Sequence, residues 1–423
     1  MIVLGGLLGA LLMEYHNVHR TYAYDSAIYL AEAGVEEGIA MLNYGGSSWA
    51  GNGWSSVGGN TNYIKTVTNL TPIGSSSSIG SYTVSIYGVT GINPTITCTG
   101  IVNVTSATYA GSTATNMIRA VRVIVKRRTL FRYGIQAKTS VSISNGSVDS
   151  FDSSDPAYSA NFDSAAGYGT YTNAPGKWKD NGDIAANSTN AAAIALGNGL
   201  VYGHANTGAG GTVTVGSSGF LAAIGSATNG VIDTSRVSHT MSVTPPDGAL
   251  PSDFSAVSNL GSYGGGNLVG GATSPVDYVA TSVTISGGNV LNFTSGYVRL
   301  YCQGDFTTSG SGYIHAQPGT TVEIYVDGKI VTSGSGIVND AQRASSFSIV
   351  ALGNDTVTIS GSAAMYCTIY APKSAVTISG SGSLIGAIVG NTFSLSGGMH
   401  VHYDEALRGG SGGQYAVMSW QEL

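Results

Sequence analysis

The feature that most constrains this chain is a long helix predicted at its start, over residues Met1–Asn43. It opens with an almost unbroken apolar run, MIVLGGLLGALLM, and turns amphipathic without any proline to interrupt it. At the helical rise per residue, such a helix is about 60 Å long. Because a rod of that length exceeds one small domain and its first third is too apolar for water, we expect a membrane or other subunits to cover it.

The two halves of this helix predict different partners. In the second half, apolar residues recur at helical spacing and glutamates lie elsewhere around the helix, so this half is expected to pack on a globular domain. The apolar positions are Ile28, Ala31, Val35, Ile39 and Leu42. The first half has no polar face, and its thirteen apolar residues fall short of the about 20 that cross a bilayer.

Two pairs of glycines four residues apart lie in this helix: Gly5 with Gly9, and Gly34 with Gly38. This spacing predicts close packing of helix backbones in an apolar environment. The alternative is that the glycines are incidental and that the apolar run is a shortened membrane anchor.

The composition of the chain indicates an extracellular β protein. Charged residues make up only 9% of the 423 residues, whereas the hydrophobic fraction is 42% and glycine occurs 62 times. The net charge of −6 argues against nucleic acid as a partner, and the basic run Lys126–Arg128 is interpreted as the end of a strand. Three cysteines are too few for a disulfide scaffold. Cys302 and Cys367 either form a bridge or are buried thiols.

After a loop over Tyr44–Gly80, the sequence predicts three strands of an antiparallel meander. These are Ser81–Val89, Pro94–Thr105 and Met117–Arg128, each alternating apolar with polar residues. Such a meander is half-buried, and its apolar face can receive the helix. We predict that residues 44–132 form this domain and that residues 1–43 form the helix.

From Tyr133 onward, short strands recur that end in Ser-Gly or Asn-Gly steps. The steps at Ser286, Ser309, Ser333, Ser360, Ser379 and Ser396 lie 17 to 27 residues apart. This period in a strand-rich segment predicts a parallel β-helix, or β-solenoid, over residues 133–400, with residues 401–423 as its C-terminal cap. A β-sandwich is the alternative. The proline-rich run Thr244–Asp253 predicts an excursion or a break between two halves. The fold class predicted for the whole chain is α+β.

The search for a chemical site in the sequence is mostly negative. Asp149, Asp152 and Asp155, with Asp180 and Asp183, could supply oxygen ligands to calcium; the favoured alternative is that they are turn aspartates that cap nearby amides. A second, weaker hypothesis joins His400, His402 and Asp404 in a metal site. The sequence contains no recognisable catalytic motif and no paired-carboxylate constellation, so we predict a protein without enzymatic activity and without a cofactor.

The segment SAIYLAEAGVEEGIAMLN, residues Ser26–Asn43, resembles the N-terminal helix of type IV pilin-like proteins, in particular the minor-pilin group with a LAEAG signature. The resemblance implies a helix that sits in the inner membrane before assembly machinery packs it into a filament core. Position 5 is Gly5, where that family usually has glutamate, so the role of that glutamate does not carry over. The segments around SISNGSVDSFDSSDP and HYDEAL resemble the β-solenoid ectodomain that often follows such helices.

These features together predict a structural subunit of an extracellular, cell-surface filament that polymerises with copies of itself through its apolar helix. The residues expected to carry polymerisation are Ile2, Val3, Leu4, Leu7, Leu8, Leu11 and Leu12. One alternative is a minor tip pilin or adhesin whose solenoid binds surface glycans. Another is a surface-anchored, carbohydrate-active β-helix enzyme.

Overall fold

The computed structural model describes residues 2–44, 49–59, 61–72, 79–89, 93–104, 115–127, 129–251, 253–334, 336–409 and 415–423. The protein has one long helix and a body made mostly of strands, an α+β composition. The chain divides into two compact units. The first unit comprises Met1–Arg128 with Ser411–Leu423, and the second comprises Thr129–Gly410, so the second unit is inserted in the sequence of the first.

The first unit is a long helix, α1 (Ile2–Tyr44), with one antiparallel sheet. A short 3-10 helix at Ala50–Asn52 precedes the sheet. The strands are β1 (Ser55–Ser56), β2 (Asn62–Leu70), β3 (Ile79–Tyr87), β4 (Thr95–Val104), β5 (Thr115–Arg127) and, from the C-terminus, β35 (Tyr415–Glu422). They lie side by side in that order, each antiparallel to its neighbour.

The second half of α1 packs on this sheet through small residues. Ala23, Ala27 and Ala31 are buried at intervals of four, as a single helix face requires. A Cβ atom placed on Gly34 would overlap Cys98 Sγ and lie 2.7 Å from a ring carbon of Tyr82. The sequence from Ala23 to Gly38 therefore lets the helix backbone approach the strands more closely than larger side chains would allow.

Strands β3 to β5 lie close to the three strands that the sequence predicts, but the other three strands of this sheet, β1, β2 and β35, are assigned wrongly. β2 falls inside the segment interpreted as a loop, because glycine and asparagine flank it on both sides. β35 lies in the segment interpreted as a cap for the repeats, yet it pairs with β5 in the first unit. Its partner strand is remote in sequence, and no local pattern reveals such a pairing.

The second unit consists of short strands and three short 3-10 helices, Thr234–Arg236, Ala344–Ser346 and Glu405–Gly409. Its strands are β6 (Ile135–Ile143), β7 (Ser147–Phe151), β8 (Ala160–Asp163), β9 (Tyr168–Thr170), β10 (Ile184–Ala186), β11 (Ile194–Ala195), β12 (Leu200–Tyr202), β13 (Ala205–Thr207), β14 (Val213–Thr214), β15 (Phe220–Ala222), β16 (Val231–Ile232), β17 (Val237–Ser238), β18 (Ser258–Asn259), β19 (Ser262–Tyr263), β20 (Gly266–Leu268), β21 (Val276–Ala280), β22 (Ser282–Ile285), β23 (Val290–Phe293), β24 (Gly296–Cys302), β25 (Phe306–Thr308), β26 (Tyr313–Ala316), β27 (Thr320–Val326), β28 (Ile330–Thr332), β29 (Ile337–Asn339), β30 (Phe347–Ala351), β31 (Val357–Gly361), β32 (Ala364–Gly380), β33 (Ser383–Leu395) and β34 (His400–Asp404). Apart from the antiparallel hairpin β8–β9, the ladders between these strands are parallel.

Successive coils of the chain stack on one another in this unit and form three ladders. We define a coil as one circuit of chain that adds a strand to each ladder. The first ladder runs through β18, β21, β24, β27, β30, β32, β33, β6, β10, β13 and β17. The second runs through β19, β22, β25, β28, β31, β32, β33, β6, β11 and β14. The third contains β20, β23, β26 and β29, and also β32, β33, β34, β7, β12, β15 and β16.

The order of coils along this coil stack is a circular permutation of their order in sequence. β6 pairs with β10 on one side and with β33 on the other, so the first coil lies between the second and the last. The described ladders end instead at β14, β16 and β17 in one direction and at β18 to β20 in the other. The coil that ends at β34, which the sequence placed at the end of the repeats, therefore lies inside the stack.

Residues 239–251 and 253–257 belong to a segment, which we call the strap, that connects the two ends of the stack. The strap crosses the outer side of the first ladder and contacts one coil after another. At one end of the strap, Met241 N donates to Thr207 O and Thr244 accepts from Asn187. In its middle, Pro246 O accepts from Tyr370 and Asp247 pairs with Lys138. At the other end, Asp253 binds Arg299 and Ser255 N donates to Asp277. The proline-rich segment that the sequence singled out lies within this strap.

Cys302 and Cys367 do not form a disulfide, and all three cysteines are free and buried. Cys302 lies on β24 and Cys367 on β32, with β27 and β30 between those strands in the first ladder. Three strand spacings amount to about 14 Å, whereas the Cα atoms of a disulfide lie about 4.4–6.8 Å apart. The parallel stacking therefore keeps these thiols apart.

We predict that Gly34→Ala destabilises the first unit although alanine is the better helix former. The added Cβ meets Cys98 and Tyr82, and overpacking of this kind costs roughly 1–3 kcal/mol. Gly9→Ala is the matched control, because no atom lies within 4 Å of its Cβ position and the change should gain up to about 1 kcal/mol. Urea unfolding followed by circular dichroism measures both; equal stability of the two variants would contradict this packing.

Candidate assembly site

The first half of α1 carries a row of exposed apolar side chains. All described side chains between residues 6 and 22 are exposed, and Leu7, Leu8 and Leu11 have 61%, 61% and 56% of their surface accessible. Of the other residues predicted to carry polymerisation, Ile2, Val3, Leu4 and Leu12 lie on the helix, but their side chains fall outside the described part. The second half of the same helix is packed against a sheet. An exposed apolar surface of this kind is typical of a site where another molecule binds.

Polar contacts of Glu37 and Asn43 hold the second half of α1 to the sheet. Glu37 forms an ion pair with Lys65 and accepts a hydrogen bond from the Tyr82 hydroxyl. Burial, followed by the hydrogen bond to Glu37, raises the pKa of Tyr82 well above its usual value. Burial likewise raises the pKa of Cys98 to about 12, so this thiol stays protonated at neutral pH. Near the end of the helix, Asn43 binds both the N–H and the carbonyl of Tyr415 on β35.

The four glycines predicted to support close helix packing divide between two environments. Gly34 and Gly38 face the sheet of their own unit, where Gly38 lies against Ile96 and Ile86. The expectation of a second helix at this pair is therefore wrong, because the strands occupy the space. Gly9 has open space around it, and the side chain position of Gly5 lies outside the described part. None of the described helices combines the length and apolar character that a bilayer span requires.

The aspartates considered as calcium ligands have separate partners. Asp152 accepts hydrogen bonds from Ser154 N and Oγ, and Asp155 accepts one from Ala157 N, so both cap turns. Asp149 is buried and contacts His402 Nδ1 at 2.7 Å. Asp180 and Asp183 form ion pairs instead, with Arg236 and with Arg408. Among the residues that the structure describes, no group of three or more potential ligands is arranged to hold a metal.

His400 and His402 lie on β34 with their rings stacked 6.0 Å apart, as alternation on a strand predicts. Tyr171 stacks on the other side of His402 at 3.8 Å, and His400 Nδ1 contacts Ser147 Oγ at 2.6 Å. Asp404 does not join them, since its carboxylate accepts bonds from Ser153 N and Oγ. The metal hypothesis for His400, His402 and Asp404 therefore fails, and these residues tie β34 to β7 and to the segment that follows it.

His400 lies at an exposed position of β34, and partial desolvation of its ring lowers its pKa, with the charge of His402 as the next cause. The folded protein thus binds fewer protons at this site than the unfolded chain, so stability falls as the pH drops through about 6.5. We predict that the thermal midpoint decreases between pH 7.5 and 5, and that His400→Gln reduces this decrease. Thermal unfolding at several pH values measures the difference; identical slopes for both proteins would contradict it.

A buried ion-pair cluster lies beneath the strap. The sequence does not predict it, because its charged residues are far apart along the chain. Arg299 donates to both carboxylate oxygens of Asp277, at 2.6 and 2.8 Å, and to Asp253 on the strap at 2.8 Å. Arg299 and Asp277 are each 4% exposed, and the ring of Phe254 packs over the guanidinium. The three charges come from different coils and the strap, so no local spacing reveals them.

We predict that Arg299→Leu destabilises the second unit by about 3–5 kcal/mol, because it leaves the charge of Asp277 buried without its partner. Arg299→Leu combined with Asp277→Leu should recover most of that loss, since no unpaired charge then remains. Chemical denaturation of the two variants measures the effect. A double variant as unstable as the single one would show that packing, rather than charge, dominates at this position.

A family model described as a domain of unknown function, DUF7305, matches residues 232–409, which include the strap and the coils from β18 to β34. No curated protein matches the chain. Among solved structures, the competence-associated pilin ComZ from Thermus thermophilus is 12% identical and is covered over 97% of its length, with 95% of this chain aligned and a TM-score of 0.24. A superposition at this TM-score is too loose to assign fold or function.

Proposed function

We propose that the chain is a structural subunit of an extracellular type IV pilus-like filament. The observation that carries the proposal is the contrast within α1, whose second half is fixed to a sheet while Leu7, Leu8 and Leu11 of its first half are exposed. The LAEAG segment of the sequence supports it, because it lies in the packed half where pilin-like proteins carry this signature. Before assembly, the exposed half would lie in the inner membrane and engage pilus-type assembly machinery.

The energetics favour many neighbours over a single partner. Full burial of one leucine side chain contributes about 1.5–3 kcal/mol, whereas association costs about 4–15 kcal/mol in lost freedom. Three leucines that are already partly covered offset only part of this cost. A bundle in which each helix touches several others buries all sides of the apolar segment, so a polymer is the stable product.

We further propose that the coil stack is a β-solenoid displayed on the outside of the filament. Its parallel ladders and its interior of buried Val, Ile, Leu and Phe support this architecture. The insertion of this unit between β5 and β35 also supports it, because α1 keeps its own sheet and does not depend on the stack for packing.

We predict that Leu8→Asp abolishes filament assembly, since a charge would enter the apolar bundle, while the monomer keeps its folded body. Val257→Asp is the matched control, because Val257 is 69% exposed in the second unit. Cryo-electron microscopy of filaments sheared from cells that produce each variant, with N-terminal analysis of the subunit, measures assembly.

Filaments built from this chain, lost with Leu8→Asp and retained with Val257→Asp, would support the proposal. Unchanged filaments with Leu8→Asp would contradict assembly through this helix. If the wild-type chain occurs only at filament tips, the minor-subunit alternative replaces the major-subunit proposal.

A further inference from the structure

The second ladder presents two columns of hydroxyl side chains on its outer side, which we call the hydroxyl array. Each coil contributes two positions separated by one inward residue. The first column contains Thr284, Thr307, Val331, Thr358, Thr377, Ser394 and Ser142, and the second contains Ser286, Ser309, Ser333, Ser360, Ser379, Ser396 and Ser144. Thirteen of the fourteen positions therefore carry a hydroxyl group, and none carries a charge.

The strand register aligns these positions from coil to coil. Thr284 pairs with Thr307, and Thr358 pairs with Thr377, each as direct neighbours in a parallel ladder. In the second column, Ser360 pairs with Ser379, and the other serines follow directly after paired residues. Neighbouring hydroxyls are thus about 4.8 Å apart along the stack and about 6.6 Å apart along a strand. The array is a nearly rectangular grid about 30 Å long.

No segment of the second unit that the structure describes covers the array, and hydrogen bonds to the backbone hold it in place. Its side chains are exposed or half-buried, whereas the inward residues between the columns, such as Ile285, Ile359 and Ile378, are fully buried in the core. The strap lies over the first ladder and leaves the second ladder free. Serines of the second column, such as Ser333 and Ser144, donate to carbonyl oxygens of the neighbouring coil, which fixes their positions.

The composition of the array narrows the choice of partner. The array carries no charge, and the paired Asp305 and Lys329 lie at its border. Sugar-binding faces usually offer aromatic rings, and neither column contains one. Val331 has the shape of threonine, so five adjacent coils of the first column, from Thr284 to Thr377, carry a methyl group, whereas Ser394 and Ser142 carry none. The partner must therefore be uncharged, flat and repeating, and must meet both hydroxyl and methyl groups.

We propose that the hydroxyl array is a binding surface for ice. Water molecules held between a grid of hydroxyls and a row of methyl groups take up the spacing of the grid, which is similar to the spacing of oxygen atoms on faces of ice. A rigid array of this length presents many such water molecules at once, so that individually weak contacts add up. This function does not depend on assembly into filaments.

Ice-affinity partitioning of the full chain tests the proposal. The protein is expected to enter slowly growing ice at least ten-fold more than serum albumin. Thr358→Lys with Thr377→Lys places two charges at adjacent coils in the first column and should reduce this enrichment at least ten-fold. Thr66→Lys is the matched control, since Thr66 is an exposed threonine paired with Thr83 on the sheet of the first unit. It should leave the enrichment unchanged.

Thermal unfolding of each variant verifies that the folded stack is retained; if the double lysine variant is unfolded, Thr358→Tyr replaces it. Exclusion of the wild-type protein from ice would overturn the proposal. Equal loss with Thr66→Lys would also overturn it. Retention on microcrystalline cellulose or chitin, together with exclusion from ice, would assign the array to a polysaccharide instead.

Discussion

The parallel hydrogen bonding between β6 and β33 is the interaction on which the second unit depends. It joins the first coil to the last, so that Ile135 pairs with Ile388 although about 250 residues separate them. Without this ladder, only the pairing of β34 with β7 and the strap would hold the two parts of the stack together. Contacts of such sequence separation form late in folding, because the entropy of closing the long loop opposes them. The coils on either side therefore have to be ordered before their junction can close.

The first unit depends in the same way on one interaction, the close contact between α1 and its sheet. Glycine and alanine on one face of α1 bring its backbone against β4, where Gly100 faces the backbone of Ala27 and Ala31. This contact fixes the second half of the helix, and the same helix extends beyond the sheet with its leucines exposed. A single unbroken helix thus links a folded body to the surface that we propose for assembly.

Many individual strands and the helix could be predicted from the sequence, but which strands and coils lie next to each other could not. Ser-Gly steps marked the ends of strands in the second ladder because glycine adopts the positive φ that these corners need, as at Gly310 and Gly334. The circular permutation could not be read from the sequence, since similar coils carry no signal for which of them are adjacent. For the same reason the contacts of Asp149 with His402 and of Arg299 with Asp253 were missed. Exposure of the apolar half of α1 was predictable, because no polar face competes with it.

The circular permutation has a consequence for how the protein can vary in evolution. The chain enters and leaves the second unit through neighbouring coils inside the stack, whereas the strap joins the two ends of the stack to each other. Duplication or loss of a coil at either end would need only a longer or shorter strap and would leave the entry and exit strands in place. Descendants of this gene can therefore change the length of the stack without altering the part of the chain that holds α1.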